Sequence, residues 1–278
     1  MSTTTPPTTN EAWTTLITSI KSTLPTSPLP TFKPTSPHTP SSIASTIDHT
    51  LLSLSATPDQ VTALCTEAST HNFATVCVRL PHVALAVQNL KGHSPPVGVA
   101  CVVGFHEGTC PTPAKCKEAK DAVEAGASEL DMVLNREKLQ AKDYVSVYED
   151  IHGVRKASAE GGVKLKVILE TGRLESEDDV IAGCVVSCLA GADFVKTSTG
   201  FDGPGATVES VGLMRRVVDS VSGGRVRVKA SGGVRTAADA IKMVEAGAER
   251  IGASAGVKLV KEMEGSGGEE GKADPGGY

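Results

Sequence analysis

No run of basic residues longer than a pair, such as Arg215-Arg216, occurs in this chain of 278 residues, whose formal net charge is −5. Without a basic stripe there is no electrostatic footprint for a phosphodiester backbone, so nucleic acid is not expected as a partner. No apolar run approaches the roughly 18 residues that a membrane-spanning helix requires. The N-terminus also lacks the basic-then-apolar layout of a signal peptide. Seven cysteines, at positions 65, 77, 101, 110, 116, 184 and 188, are an odd number without any C-x-x-C or Cys/His ligand spacing. Neither a zinc site nor a disulfide framework is therefore expected. Together these absences predict a soluble, cytoplasmic protein with reduced thiols and no membrane contact. No G-x-G-x-x-G follows the first strand pattern, which argues against an open dinucleotide-binding sheet.

What is present is organised in three parts. Residues 1–42 are dominated by Ser, Thr and Pro ("TLPTSPLPTFKPTSPHTPSS"), a composition that favours solvated extended chain. They read as a flexible extension, with a short helix over 11–22 as the alternative. Residues 265–278, "GSGGEEGKADPGGY", read as a flexible Gly-rich tail. Between them, 43–264 alternate. The short runs "STIDHT", "FATVCV", "VGVACVV", "SELDMVL", "KLKVILE", "DFVKTS", "RVRVKA" and "ERIGAS" are separated by stretches of helical period such as "TPDQVTALCTEASTHN". Eight strands alternating with helices predict an α/β fold, a single (β/α)8 TIM barrel. "EAGASELDMV", "LAGADFVKTS" and "EAGAERIGAS" repeat an Ala-Gly-Ala where each helix must close before the next strand, a place that favours glycine.

Strand period two then assigns faces, since residues under the helices must be apolar. Leu165, Val167 and Leu169 go outward, leaving Lys166, Ile168 and Glu170 inside; Leu130, Met132 and Leu134 go outward, leaving Glu129, Asp131 and Val133 inside. Lys229 and Arg227 point inward from "RVRVKA", and Lys196 from "DFVKTS". Glu129 and Arg227 are expected to form a structural ion-pair layer at the base. Asp131, Lys196, Lys229 and Glu170 fall at or near the C-terminal strand ends, where barrels of this kind build their active sites.

If strands six and seven are neighbours, Lys196 and Lys229 rise side by side about 4.8 Å apart. Repulsion and desolvation both disfavour the ammonium form, and a neutral amine attacks carbonyls, so the pair is suited to Schiff-base chemistry. Asp131, with Asp48 of "IDHTLL" opposite, supplies carboxylates for the proton transfers that such a pathway needs. Lys166, one layer lower, is placed to hold Asp131. His49 faces the other way and reads as structural, and Cys77 as a small core residue. A second constellation suits an anion. Gly232 and Gly233 of "ASGGVRT", Gly252 and Ser254 of "IGASAGVKLV" before a short helix, and Thr199 with Gly200 of "STG" lie in the loops where this fold binds phosphate.

In their order and spacing, "IDHTLL", "ELDMVLN", "LKVILETG", "GADFVKTSTGF", "VKASGGVRT" and "RIGASAGV" resemble deoxyribose-phosphate aldolase, over roughly Ile43 to Val260. The resemblance implies a class I aldolase without metal or other cofactor. Its substrate would be the sugar phosphate 2-deoxy-D-ribose 5-phosphate, split reversibly to D-glyceraldehyde 3-phosphate and acetaldehyde. It assigns Lys196 as the Schiff-base lysine, Lys229 as the second lysine that lowers its pKa, and Asp131 as the proton-transfer carboxylate. Gly232, Gly233, Gly252 and Ser254 match phosphate positions. Some relatives end in a tyrosine that reaches back to the active site, and Tyr278 stands in that place. Ala253 and Ala255 stand where Thr or Ser is often found, and Arg79-Leu80 where many relatives carry Asn-Pro. Barrels of this kind often pair, so a homodimer is expected.

Overall fold

The computed structural model describes residues 5–25 and 38–265. Eight parallel strands close into one barrel in sequence order, β1 to β8, with β8 pairing back onto β1. They are β1 (Ile47–Thr50), β2 (Thr75–Val78), β3 (Gly98–Val103), β4 (Glu129–Val133), β5 (Lys164–Ile168), β6 (Phe194–Lys196), β7 (Arg227–Ser231) and β8 (Arg250–Ala253). The helices are α1 (Asn10–Thr23), α2 (Pro40–Ala44), α3 (Pro58–Thr70), α4 (Val83–Leu90), α5 (Thr112–Glu124), α6 (Arg136–Gln140), α7 (Tyr144–Ala157), α8 (Glu177–Leu189), α9 (Val208–Ser222), α10 (Ala237–Glu245) and α11 (Gly256–Met263). This is the predicted TIM barrel, with all eight strands on the eight predicted runs. Among the described residues no helix is long and apolar enough to cross a membrane.

Local chemistry starts and stops these elements. Thr57 with Gln60, Thr207 with Ser210, and Thr236 with Asp239 form capping boxes at the starts of α3, α9 and α10, each satisfying helix donors that would otherwise be orphaned. The repeated glycines Gly126, Gly191 and Gly247 have φ of 99°, 93° and 111°, so each closes its helix in a backbone region that other residues enter at a cost.

The face assignment holds. Leu130, Met132, Leu165, Val167, Leu169 and Val228 belong to the large apolar core between barrel and helices. Removing such surface from water is the main force that closes the barrel. Inside, a small apolar cluster of Leu52, Cys77, Ala100 and Val102 fills the β1–β3 side, and the charged residues share the remaining interior with Val133, Ile168 and Phe194.

The expectation of a flexible N-terminal extension is corrected over its described part. Thr9 caps α1 by accepting from the Ala12 amide. Trp13 is 0% exposed and its ring lies 5.6 Å from that of Tyr148 on α7. The Asn10 side chain accepts from the Val145 amide and Lys21 pairs with Asp178. An apolar pair spaced i, i+4, Trp13 and Ile17, gives this helix a face that buries against the barrel. The Ser/Thr/Pro bias that suggested solvated chain is strongest from Leu24 onward. Residues 26–37, and the expected tail apart from Gly265, lie outside the described residues, and so does Tyr278. Because Trp13 is fully buried, Trp13→Ala is expected to lower stability by about 3–5 kcal/mol, read from urea unfolding. A loss below about 1 kcal/mol would mean that α1 adds little to the fold.

Candidate active site

Strand register brings the inward charges together. Lys196 pairs in register with Lys229 across β6 and β7, and Asp131 with Lys166 across β4 and β5. The three lysines and Asp131 are all buried: Lys166, Lys229 and Asp131 are 0% exposed and Lys196 is 3% exposed. Buried charges survive only when paired, and here every one is. Lys196 Nζ lies 2.8 Å from Asp131 Oδ2, and Lys229 Nζ lies 2.7 Å from the same oxygen. Lys166 Nζ donates to Asp131 Oδ1 at 2.6 Å and pairs with Glu129 Oε2 at 2.6 Å. Asp48 accepts from Lys229 at 2.5 Å and from the Thr75 hydroxyl at 2.7 Å.

The lysines therefore differ sharply in partnership. Lys229 holds two carboxylates and Lys166 touches three, the third being Asp48 at 3.7 Å. Lys196 has one, through an oxygen that it shares with Lys229. Their proton affinities follow. Burial pulls the Lys196 ammonium below its ordinary range; Asp131 opposes this and repulsion from Lys229 adds to it. Burial acts on Lys229 too, but Asp131 and Asp48 more than offset it and hold that ammonium above its usual range. Lys166 is raised in the same way by Asp131, Asp48 and Glu129. Asp131 would be raised by burial, yet Lys166, Lys196 and Lys229 hold it well below the usual carboxylate range. The Lys196 ammonium is lowered as expected, with burial the largest cause of its shift and the neighbouring ammonium a smaller one, while the difference between the two lysines comes from the second carboxylate, Asp48, on Lys229.

Glu129 does join an ion-pair layer at the base, but Arg227 is not its partner. Arg227 lies over the Phe194 ring at 4.2 Å, and the guanidinium on Glu129 is that of Arg250, with contacts of 3.0 and 3.2 Å. Arg250 was not singled out from the sequence, although β8 carries the signal: with Ile251 outward, Arg250 and Gly252 must point inward. His49 is the expected structural residue, its Nε2 2.6 Å from Glu67. Cys77 is buried in the interior cluster, and burial pushes its thiol up to about 11.

The glycine loops gather around the top of β6, β7 and β8. Gly232 and Gly200 approach each other closely: a Cβ built on Gly232 would lie 3.6 Å from the Gly200 Cα and 3.3 Å from the Ser198 Cβ. Gly252 sits against Lys229, where an added Cβ would come within 3.1 Å of the lysine Cε and 2.8 Å of the Ser231 Cβ; only glycine leaves that lysine its place. Ser254 is exposed beside the N-terminus of α11, whose partial positive charge suits an anion. The Ser198 hydroxyl is buried without a hydrogen-bond partner among the described residues. Thr199 differs from expectation. Its amide and hydroxyl both donate to Glu170, so its donors are engaged within the protein and it braces the loop. Glu170 reaches it because the chain leaves β5 with Glu170 at φ 56°, which ends the strand alternation at Ile168.

Phe201, at the end of the same loop, roofs the opposite side. Its ring lies 5.2 Å from Phe105 and 5.4 Å from His106, and Arg79 lies over Phe105 at 5.1 Å. Asp202 fastens this loop to Arg136 and Arg173. Among the described residues no group of three or more His, Cys, Asp or Glu side chains is arranged to hold a metal ion.

A buried amine of lowered proton affinity beside a carboxylate, at the C-terminal end of a barrel whose βα loops suit an anion, is equipped for carbonyl chemistry on a phosphorylated substrate. Known proteins of similar sequence agree with that chemistry. A Coccidioides immitis protein named deoxyribose-phosphate aldolase is 56% identical over 253 residues, which is 91% of this chain and 92% of that protein. The match is longer than the barrel, so it extends into at least one flanking segment. The deoxyribose-phosphate aldolase of Halalkalibacterium halodurans is 52% identical over 79% of this chain and 95% of its own. A crystal structure from Coccidioides immitis superposes with a TM-score of 0.86 at 55% identity, covering 92% of this chain and 98% of that one. The profile described as DeoC/LacD family aldolase matches residues 42–262, and the chain belongs to that family.

Proposed function

We propose that this chain is a class I aldolase that cleaves 2-deoxy-D-ribose 5-phosphate reversibly to D-glyceraldehyde 3-phosphate and acetaldehyde, in deoxyribose catabolism. The observation that carries this reading is the unequal lysine pair on Asp131. Lys196 is the amine with the weakest hold on its proton, and it stands where the carbonyl of a bound sugar would arrive. Its neutral nitrogen adds to C1, and loss of water gives the iminium. The iminium then draws in the electron pair of the C2–C3 bond as the C3 hydroxyl gives up its proton. Glyceraldehyde 3-phosphate leaves, and the enamine takes a proton at C2 before water releases acetaldehyde. Asp131, 2.8 Å from Lys196, carries protons between the amine and the reacting hydroxyls. Lys229 and Lys166 hold Asp131 ionised, and Asp48 holds Lys229.

The phosphate is assigned to Gly200, Gly232, Gly233, Gly252 and Ser254, with Ser198 beside them and Thr199 bracing the loop through Glu170. Tyr278 is assigned an accessory part in proton exchange at C2, which its deletion tests. The chemistry needs no metal or other cofactor, because the iminium is the electron sink. We take the protein to act in the cytoplasm as a homodimer, an assembly that sedimentation would read directly. The substrate assignment is tested by following acetaldehyde release from 2-deoxy-D-ribose 5-phosphate and from 2-deoxy-D-ribose. The phosphorylated sugar is expected to have a kcat/KM higher by about 10²-fold or more, the order that an ionic contact or two supplies. Equal values would remove the phosphate site from the account.

A further inference from the structure

The ion-paired cluster inside the barrel holds more cations than carboxylates. Asp48 of β1 and Glu129 and Asp131 of β4 face Lys166 of β5, Lys196 of β6, Lys229 of β7 and Arg250 of β8. Four buried cations thus share three buried carboxylates. Other charged or titratable groups lie around this cluster. Lys164 reaches Glu129 from a half-exposed position on β5, and Arg227 lies on the Phe194 ring. Cys77 is a thiol, and Glu170 is turned to Thr199.

We propose that Arg250 is a positioning residue which, from the base of the barrel, makes Lys196 the amine that gives up its proton. This inference rests on Lys196 being the Schiff-base lysine. The guanidinium takes Asp48 Oδ1 at 2.6 Å and both oxygens of Glu129, and guanidinium does not lose its proton inside proteins. With that permanent charge in place, one of the three lysines must be neutral for the buried charges to balance. Lys166 touches three carboxylates and Lys229 two, whereas Lys196 shares one oxygen. Releasing the proton from Lys196 therefore breaks the fewest ion pairs. The direction of the proton affinities agrees, since Lys196 alone of the three is held below its usual range.

The charge balance makes predictions of opposite sign. The wild-type chain and its variants are incubated with acetaldehyde and cyanoborohydride across a pH series. The rate of two-carbon labelling at Lys196 is then read by peptide mass spectrometry, with circular dichroism as the check on folding. In Arg250→Gln the cluster loses its surplus charge, and the midpoint of the labelling profile is expected to rise by roughly one pH unit. In Glu129→Gln the surplus grows, and the midpoint is expected to fall. Arg250→Lys keeps a cation and is expected to stay near the wild-type midpoint. Either Arg250→Gln or Glu129→Gln suffices if the other does not fold. A merely structural Arg250 would lower stability and labelling at every pH without moving the midpoint. An unmoved midpoint, or shifts of the same sign in both variants, overturns the proposal. Absence of label on Lys196 in the wild type would instead overturn the assignment of the Schiff-base lysine.

Discussion

Lys196→Met is expected to leave a folded protein whose turnover is reduced by about 10⁴-fold or more, the order lost when a covalent nucleophile is removed. Methionine fills the volume of the lysine stem, and Asp131 retains Lys166 and Lys229, so no carboxylate is stranded. Removing one member of a buried ion pair is costly because it strands the other charge, and here the Asp131 carboxylate keeps two ammonium partners. A thermal midpoint within a few degrees of wild type, together with loss of turnover, would separate chemistry from folding. Activity above a few per cent of wild type would show that another amine carries the reaction.

Lys229→Leu is expected to act through pH. In the wild type the Lys196 ammonium is disfavoured by burial and by Lys229, and Asp131 is shared between them. Removing Lys229 ends the repulsion and gives Asp131 Oδ2 to Lys196 alone, so Lys196 binds its proton more tightly. Turnover depends on the neutral amine and rises as pH climbs through the Lys196 pKa. A raised pKa therefore moves this limb to higher pH, by more than about one unit. Turnover at pH 7 is expected to fall by about tenfold for each pH unit of that rise and to recover as the pH is raised. The kcat profile against pH checks it, and a loss of the same size at every pH would make Lys229 a positional residue only. The variant also costs stability, since Asp48 and Asp131 each lose a buried partner. Because Asp48 retains Arg250 and Asp131 retains Lys166, the cost should lie near the lower end of the roughly 3–5 kcal/mol seen when a buried pair is broken.

Much of this was legible because a barrel strand obeys a simple rule: outward residues must be apolar, so a charge on such a strand points in. Leu165, Val167 and Leu169 fixed the inward place of Lys166, and the Val-Lys step shared by "DFVKTS" and "RVRVKA" puts Lys196 level with Lys229, as the register has it. The rule fails where strands end. Glu170 lies beyond Ile168 in a left-handed backbone conformation and swings to Thr199, a contact between two loops that no periodicity encodes. Arg250 went unnoticed because its strand is short and its other inward residue is glycine, so the alternation has little amplitude. Lys115 is a different case. It lies on a helix among polar neighbours, yet it is fully buried and bonds Asp150 and the Val133 carbonyl, a pairing set by how α5 and α7 pack on β4. The packing of α1 was hidden by its company, a helix of moderate amphipathicity beside a proline-rich stretch.

The central claim is that Lys196, and neither of the other two lysines inside the barrel, forms the covalent bond with the carbonyl substrate. Incubation with acetaldehyde, reduction by borohydride and peptide mapping by mass spectrometry test it most directly. The account predicts a single two-carbon adduct, on Lys196; an adduct on Lys229 or Lys166, or a protein left unlabelled, would contradict it.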